Sequence, residues 1–274
     1  KSIGKILINA IVLFGCIGFA IWYMFKDEDV DTVFSYFKQS NMFLAIIGVF
    51  FVIGFILSES VILHYLFSSL DVHSKFSHCC LYSFVGFFFS LVTPSATGGQ
   101  PLQMVFMKKD KIPMHVSAVV LMIVTITYKL VLVVIGIGVL VFRPSGIIEY
   151  LEPVMGWMYL GIAINVLVVG IMLMFLLFPK FTDKVIVGLC KALSRIIPIQ
   201  RLQGIEYKAK EAVRNYSDVS EYFKSHMKVV GNVALISFVQ RFLLFFVTFL
   251  SIAAFGIVAN PLTTSLMQGM ISVA

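Results

Sequence analysis

Apolar residues run almost unbroken through residues 3–25, 42–67, 115–141, 154–178 and 229–258, and another such run begins at 261. Each complete run exceeds the roughly 20 residues an α-helix needs to cross a bilayer. The pattern fails once, between His78 and Met107. There an apolar arm, Cys79–Val92, gives way to Thr93-Pro-Ser-Ala-Thr-Gly-Gly-Gln-Pro101 and then to a shorter arm, Leu102–Met107. Neither arm is long enough to span. Pro94 and Pro101 lack a backbone N–H, and Gly98-Gly99 favours non-helical geometry, so one continuous helix is not expected. The predicted fold class is all-α: a polytopic transmembrane helical bundle with a re-entrant broken-helix hairpin at about 78–107.

Composition agrees. Of 274 residues, 59% are hydrophobic and 13% charged, and the mean hydropathy is +0.98. Soluble chains are less apolar and about twice as charged. The whole of 1–274 reads as a single membrane domain with no room for a soluble catalytic one. The first run is expected to be a retained helix. It is too long for a signal segment and lacks a small-residue cleavage site. Both ends read as incomplete, and truncation is expected at the C-terminus, where the chain stops in apolar sequence. Cys16, Cys79, Cys80 and Cys190 lack metal-ligand spacing and read as small core residues. No metal and no other cofactor is called for.

The net charge of +7 does not imply nucleic acid, because Lys and Arg flank the apolar runs as the positive-inside rule requires. If the broken segment enters and leaves on one side, Lys1, Lys5, Lys75, Lys108, Lys109, Lys111 and the loop 179–228 all fall inside. Lys26, Lys38 and Arg143 stay outside. A single crossing gives nearly the same bias, so the backbone decides for the hairpin. Both topologies put the long basic loop in the cytoplasm, and the expected location is a cell membrane. In that loop Thr182-Asp183 can cap a helix. Apolar positions from Val185 to Ile197 then recur at helical spacing, with Lys184, Lys191 and Arg195 elsewhere on the wheel. Residues 180–197 are therefore expected to lie on an anionic lipid surface, at about 1 kcal/mol per basic side chain. An ordinary positive-inside loop is the alternative. Residues 203–228 are expected to be helical and solvated, and the acidic 26–41 loop solvated. A homo-oligomer is compatible with the pattern.

Two features carry chemistry. Irregular backbone at membrane depth survives only beside protein or a wet cavity, and transporters aim half-helix ends at ligands. Donors on Ser95, Thr97, Gly98, Gly99 and Gln100 are thus candidates for an anionic headgroup, as at helix N-termini. Glu59, Lys129 and Arg241 are the second feature, since ionisable residues at this depth are functional by default. One reading has Glu59 paired with Lys129 or Arg241 to hold helices together. In the other, Lys129 and Arg241 bind a phosphate and Glu59 balances the charge. No P-loop, His/Glu metal pair or G-x-S-x-G is present.

The Pro94-to-Pro101 element, the stretch Ile53–Leu66 with Glu59 and the long basic loop resemble the membrane domain of the lysylphosphatidylglycerol synthase family and its membrane-only relatives. That domain is a flippase in the full enzymes, carrying aminoacylated phosphatidylglycerol to the outer leaflet and blunting cationic antimicrobial peptides. The resemblance implies a lipid transporter, or flippase-like protein, handling a membrane phospholipid with an anionic or aminoacylated headgroup such as lysylphosphatidylglycerol. Two departures matter: no transferase domain is present, and the chain stops where the family carries a second Pro-Gly-Gly element. The alternatives are the membrane part of a phosphatidylglycerol lysyltransferase, or a scaffold with structural ion pairs.

Overall fold

A computed structural model describes residues 38–93, 96–143, 147, 152–178, 181, 185 and 216–273, together with Gly18, Trp22, Ser35 and Tyr36. The expected helix at 3–25 and the amphipathic stretch 180–197 therefore lie almost wholly outside the described residues. Among those residues the fold is an all-α polytopic helical bundle of α1 (Met42–Ser69), α2 (Phe76–Val92), α3 (Gly99–Lys109), α4 (Met114–Phe142), α5 (Met155–Leu177), α6 (Met227–Ala254) and α7 (Pro261–Val273). Helices α1, α4 and α6, and α5 with the short 3-10 turn before it, are long and apolar enough to cross a membrane.

The helices begin and end at identifiable chemistry. Asn41 caps α1, its side-chain oxygen accepting from Phe43 N at 3.1 Å and Leu44 N at 3.4 Å. Asn260 does the same for α7, with Pro261 at the first helical position. The turn between α3 and α4 has Lys111 in the left-handed region, φ 64°, before Pro113. Arg143 ends α4 with φ 42°, just ahead of Pro144. The boundaries extend the sequence-expected spans by a residue or two in α1 and α4 and shorten the span expected at 229–258, which ends at Ala254.

Helices α1 and α6 pair antiparallel along their lengths. Asn41 N donates to Ala254 O at 2.6 Å at one end. Asn232 Nδ2 donates to the Tyr65 hydroxyl at 2.9 Å toward the other. Helices α2 and α3 form the hairpin, and its two ends open on the same face. His78 Nδ1 at the start of α2 lies 2.9 Å from Asp110 Oδ2 just after α3, and the Tyr82 hydroxyl donates to that oxygen at 2.5 Å. At about 1.5 Å per residue, the arms reach about 25 Å and about 16 Å, short of a hydrocarbon core of about 30 Å. The second arm is longer than Leu102–Met107 because Gly99, Gln100 and Pro101 join its first turn.

The face where the hairpin opens is also where α1 and α5 end and α6 begins, and it is called the loop face below. Residues 216–225 are helical and lie across it. The last carbonyls of a helix have no partner within it. At the end of α5, Tyr216 donates to Phe175 O at 3.3 Å, Ser220 to Leu176 O, and Lys224 to Leu177 O at 3.5 Å. Tyr222 donates to Ser69 O at the end of α1, at 2.5 Å. Phe223 is fully buried against the core that Leu66, Phe67, Tyr82, Met107 and Ile123 form on this side.

The Asp110 clasp sets a testable pH dependence. The Tyr82 hydrogen bond, then His78 and Lys109, hold the exposed Asp110 carboxyl below its ordinary range. A carboxylate with a lowered value stabilises the fold above the unfolded value, and that contribution is lost as pH falls through the lowered one. Protection of the amides of residues 76–82 and 104–110, corrected for the intrinsic slowing of exchange in acid, is expected to weaken as pH falls below about 4. In Asp110→Asn that acid-dependent step should vanish. A wild-type exchange profile with no such step would remove the clasp from the hairpin's stability.

Candidate functional site

A cavity of about 440 Å³ lies between the hairpin, α1, α4 and α6. Its depth follows from its walls. Arg241 stands midway along α6, and Gly99 and Gln100 come from the hairpin tip.

The tip is built by Thr93. Its hydroxyl donates back to Phe89 O at 2.6 Å and accepts from Gly98 N at 2.9 Å, while Ala96 N donates to Thr93 O at 3.1 Å. Ala96 takes a left-handed φ of 54°, uncommon for a residue with a Cβ. Here Gly98 and Gly99 allow close approach. A Cβ on Gly98 would lie 2.5 Å from the Thr93 methyl, and one on Gly99 would lie 2.6 Å from Gly86 O and collide with Ser90 Oγ. The two arms thus touch backbone to backbone and bring the first turn of α3 against the cavity.

Glu59 is 8% exposed. Its Oε1 accepts from Gln103 Nε2 on α3 at 2.7 Å. Arg241 stands across the same cavity, close enough for charge interaction with Glu59 but outside ion-pair contact. His78–Asp110 is the ion pair recorded among the described residues. The Arg241 guanidinium lies 4.5 Å from the Tyr128 ring centre and 5.4 Å from that of Phe55, and such aromatic faces attract cations. Its Nε is buried without a hydrogen-bond partner. Most buried polar groups are paired. Gln100 donates to Thr125 Oγ1 of α4, which ties the tip to that helix.

The candidate residues therefore divide. Glu59, Thr97, Gly99, Gln100 and Arg241 line one cavity. Gly98 sits behind it, with its N–H committed to Thr93. Ser95, with Pro94, lies outside the described residues. Lys129 is not in the cavity wall. Adjacent residues on a helix point about 100° apart, so Tyr128 faces Arg241 while Lys129 Nζ donates to Asn165 Oδ1 on α5 at 3.0 Å. Asn165 Nδ2 in turn donates to Gly161 O at 2.9 Å and Val273 O at 3.0 Å. His64 and Ser60, one turn apart on α1, take different partners. His64 Nδ1 meets Ser74 O at 3.1 Å, and Ser60 meets Ser83 at 3.0 Å.

Sequence reasoning missed Gln103, Phe55 and Asn165. The signal for Gln103 was present: a lone amide in the short apolar arm, four residues past Gly99. Asn165 is likewise the one amide in an apolar span. Among the described residues no group of three His, Cys, Asp or Glu is placed to hold a metal ion.

No curated protein and no solved structure matches the chain. A family model described as the lysylphosphatidylglycerol synthase TM region matches residues 6–274, and with that span covered the chain belongs to this family of membrane domains linked to lysylphosphatidylglycerol.

Proposed function

We propose that this chain is a lipid transporter, flippase-like in action, that takes a phospholipid with an anionic or aminoacylated headgroup into the cavity at the hairpin tip. The observation that carries the proposal is Arg241: a guanidinium at membrane depth with a buried, unpartnered Nε, facing a cavity and out of ion-pair contact with the acid on its other side. A planar guanidinium suits two phosphate oxygens, and the first turn of α3 adds the positive end of a helix dipole on the opposite wall. Thr97 and Gln100 line that wall. Glu59 supplies a carboxylate that suits the amine of an aminoacylated headgroup. A scaffold held by a Glu59 ion pair draws no support, because no such pair forms and a cavity separates the two charges.

The orientation rests on charge. Lys75, Lys108, Lys109, Lys111, Lys224 and Lys228 all lie at the loop face, whereas Arg143 lies at the far one. By the positive-inside rule the loop face is cytoplasmic. The family description names a synthase, so service as the membrane part of an aminoacyl-lipid synthase is the second reading.

Transport is tested in proteoliposomes carrying a fluorescent phosphatidylglycerol in both leaflets, with a quencher added outside. The expected result is loss of more than the outer-leaflet half of the signal, at a rate set by protein content. Aminoacylated phosphatidylglycerol should compete. A quenched fraction equal to that of protein-free vesicles would sink the proposal.

A further inference from the structure

We propose that the cavity is a proton-coupled site: when the phosphate of a headgroup that carries no amine reaches Arg241, Glu59 takes up one proton from solution, and releases it when the phosphate leaves. This rests on the headgroup reading above.

The geometry supplies the reason. Glu59 and Arg241 are the formally charged side chains lining the cavity, and they face each other without touching. The coupling has Glu59 ionised while the cavity is empty, as the counter-charge facing the guanidinium. A bound phosphodiester brings its own negative charge to Arg241. Two anions would then share one cation in a site walled by Phe87, Leu121 and Val124, where charges are poorly screened. The group able to relieve this is the carboxyl. Protonating it removes one anion and leaves the phosphate–guanidinium pair neutral.

The surroundings fit both protonation states. Glu59 Oε1 accepts from Gln103 Nε2, and an acid proton on Oε2 leaves that bond intact. The remaining groups facing Glu59 do not compete for the role. From α6 these are Arg241 and the neutral Gln240, and from α4 the Tyr128 phenol. Helix α3 offers the amides of Gln100 and Gln103, and α2 offers Gly86, Phe87 and Ser90, none of which titrates. On α1 itself, His64 is turned to Ser74 O, and Lys129 of α4 is engaged with Asn165.

The step balances simply. The proton comes from hydronium or the buffer acid in solution: its bond to the donor breaks, an O–H bond forms on Glu59, the conjugate base stays in solution, and no bond of the lipid changes. Binding and protonation are then linked, each favouring the other by the same factor.

The test uses the purified full chain in detergent and a water-soluble short-chain phosphatidylglycerol. Calorimetric titration in two buffers of different ionisation enthalpy counts protons taken up per lipid bound. Wild type is expected to take up about one proton per lipid, and its affinity to fall about tenfold per pH unit as pH rises. Glu59→Gln keeps the Gln103 bond and is expected to bind with uptake near zero and affinity flat with pH. Buffer-independent binding by wild type, or uptake that persists in Glu59→Gln, overturns the coupling while leaving the headgroup site standing. No binding at all by wild type overturns the site and the coupling together. The wild-type pH dependence decides the matter even where the variant fails to fold.

Discussion

Arg241→Gln is expected to cost about 100-fold in affinity for a short-chain phosphatidylglycerol while lowering stability by no more than about 2 kcal/mol. The two halves of that result come from one feature. The guanidinium donates no hydrogen bond to a described residue, and its Nε has no partner, so removing it breaks no internal bond. What the folded state loses is the attraction of the guanidinium to the Tyr128 and Phe55 rings and the counter-charge for Glu59, a loss that protonation of the Glu59 carboxyl limits. The bound state loses one or two charge-assisted hydrogen bonds, each worth about 1.5–3 kcal/mol, and 2.7 kcal/mol is about 100-fold in affinity. Lys should restore part of the binding, as a charge without the two-pronged geometry. Lys129→Met, which loses its bond to Asn165 across the other side of α4, is the contrasting variant. It should bind the lipid nearly as wild type does but melt lower. Calorimetry for affinity and a thermal melt for stability read both quantities. Were Arg241→Gln to bind normally, or to unfold, the guanidinium would be structural.

Gly99→Val is expected to lower stability by about 3 kcal/mol or more and to abolish transport. Its Cβ would press within 2.6 Å of Gly86 O and into Ser90 Oγ. A backbone carbonyl cannot swing aside, so the arms must part, and Gln103 then moves off Glu59. Gly86→Ala should also destabilise, by about 1–3 kcal/mol, because its Cβ strikes the buried side chain of Gln103 and displaces it from Glu59. Gly138→Ala should reverse the sign and gain up to about 1 kcal/mol, since its Cβ would meet nothing within 4 Å and Ala is the better helix former. Denaturation midpoints of the three variants order the effects. Equal losses at Gly99 and Gly138 would mean that backbone contact does not hold the hairpin.

The bundle was legible because its signal is additive: every apolar residue in a long run argues for the same span. The hairpin was legible because Pro94, Pro101 and the Gly pair forbid the alternative. Charge counting hardly separated a re-entrant hairpin from a single crossing, whereas the Asp110 clasp with His78 and Tyr82 holds both ends of the hairpin on one face of the bundle. The site was read only in part. Glu59 and Arg241 stood out because charge at that depth demands an explanation. Lys129 stood out for the same reason and faces elsewhere, because a single helical step turns it away from Tyr128. Depth along a helix can be counted from a sequence, but azimuth depends on which neighbours pack where. Gln103 was hidden by its neutrality, and Phe55 by being one Phe among 27. Their roles arise from the crossing of α1 over α3 and α6, which no local pattern encodes.

The hairpin that stops halfway has an electrical consequence. A site at mid-depth lies across only part of the transmembrane voltage. The full drop is worth about 2.3 kcal/mol per charge per 100 mV, so a charge resting beside Arg241 has traversed roughly half of it, about 1 kcal/mol. A bare anionic headgroup entering from the negative side is therefore driven inward by the field. One that arrives together with a proton on Glu59 crosses that distance with no net charge. Loading the cavity is then indifferent to membrane voltage and sensitive only to the lipid and to pH.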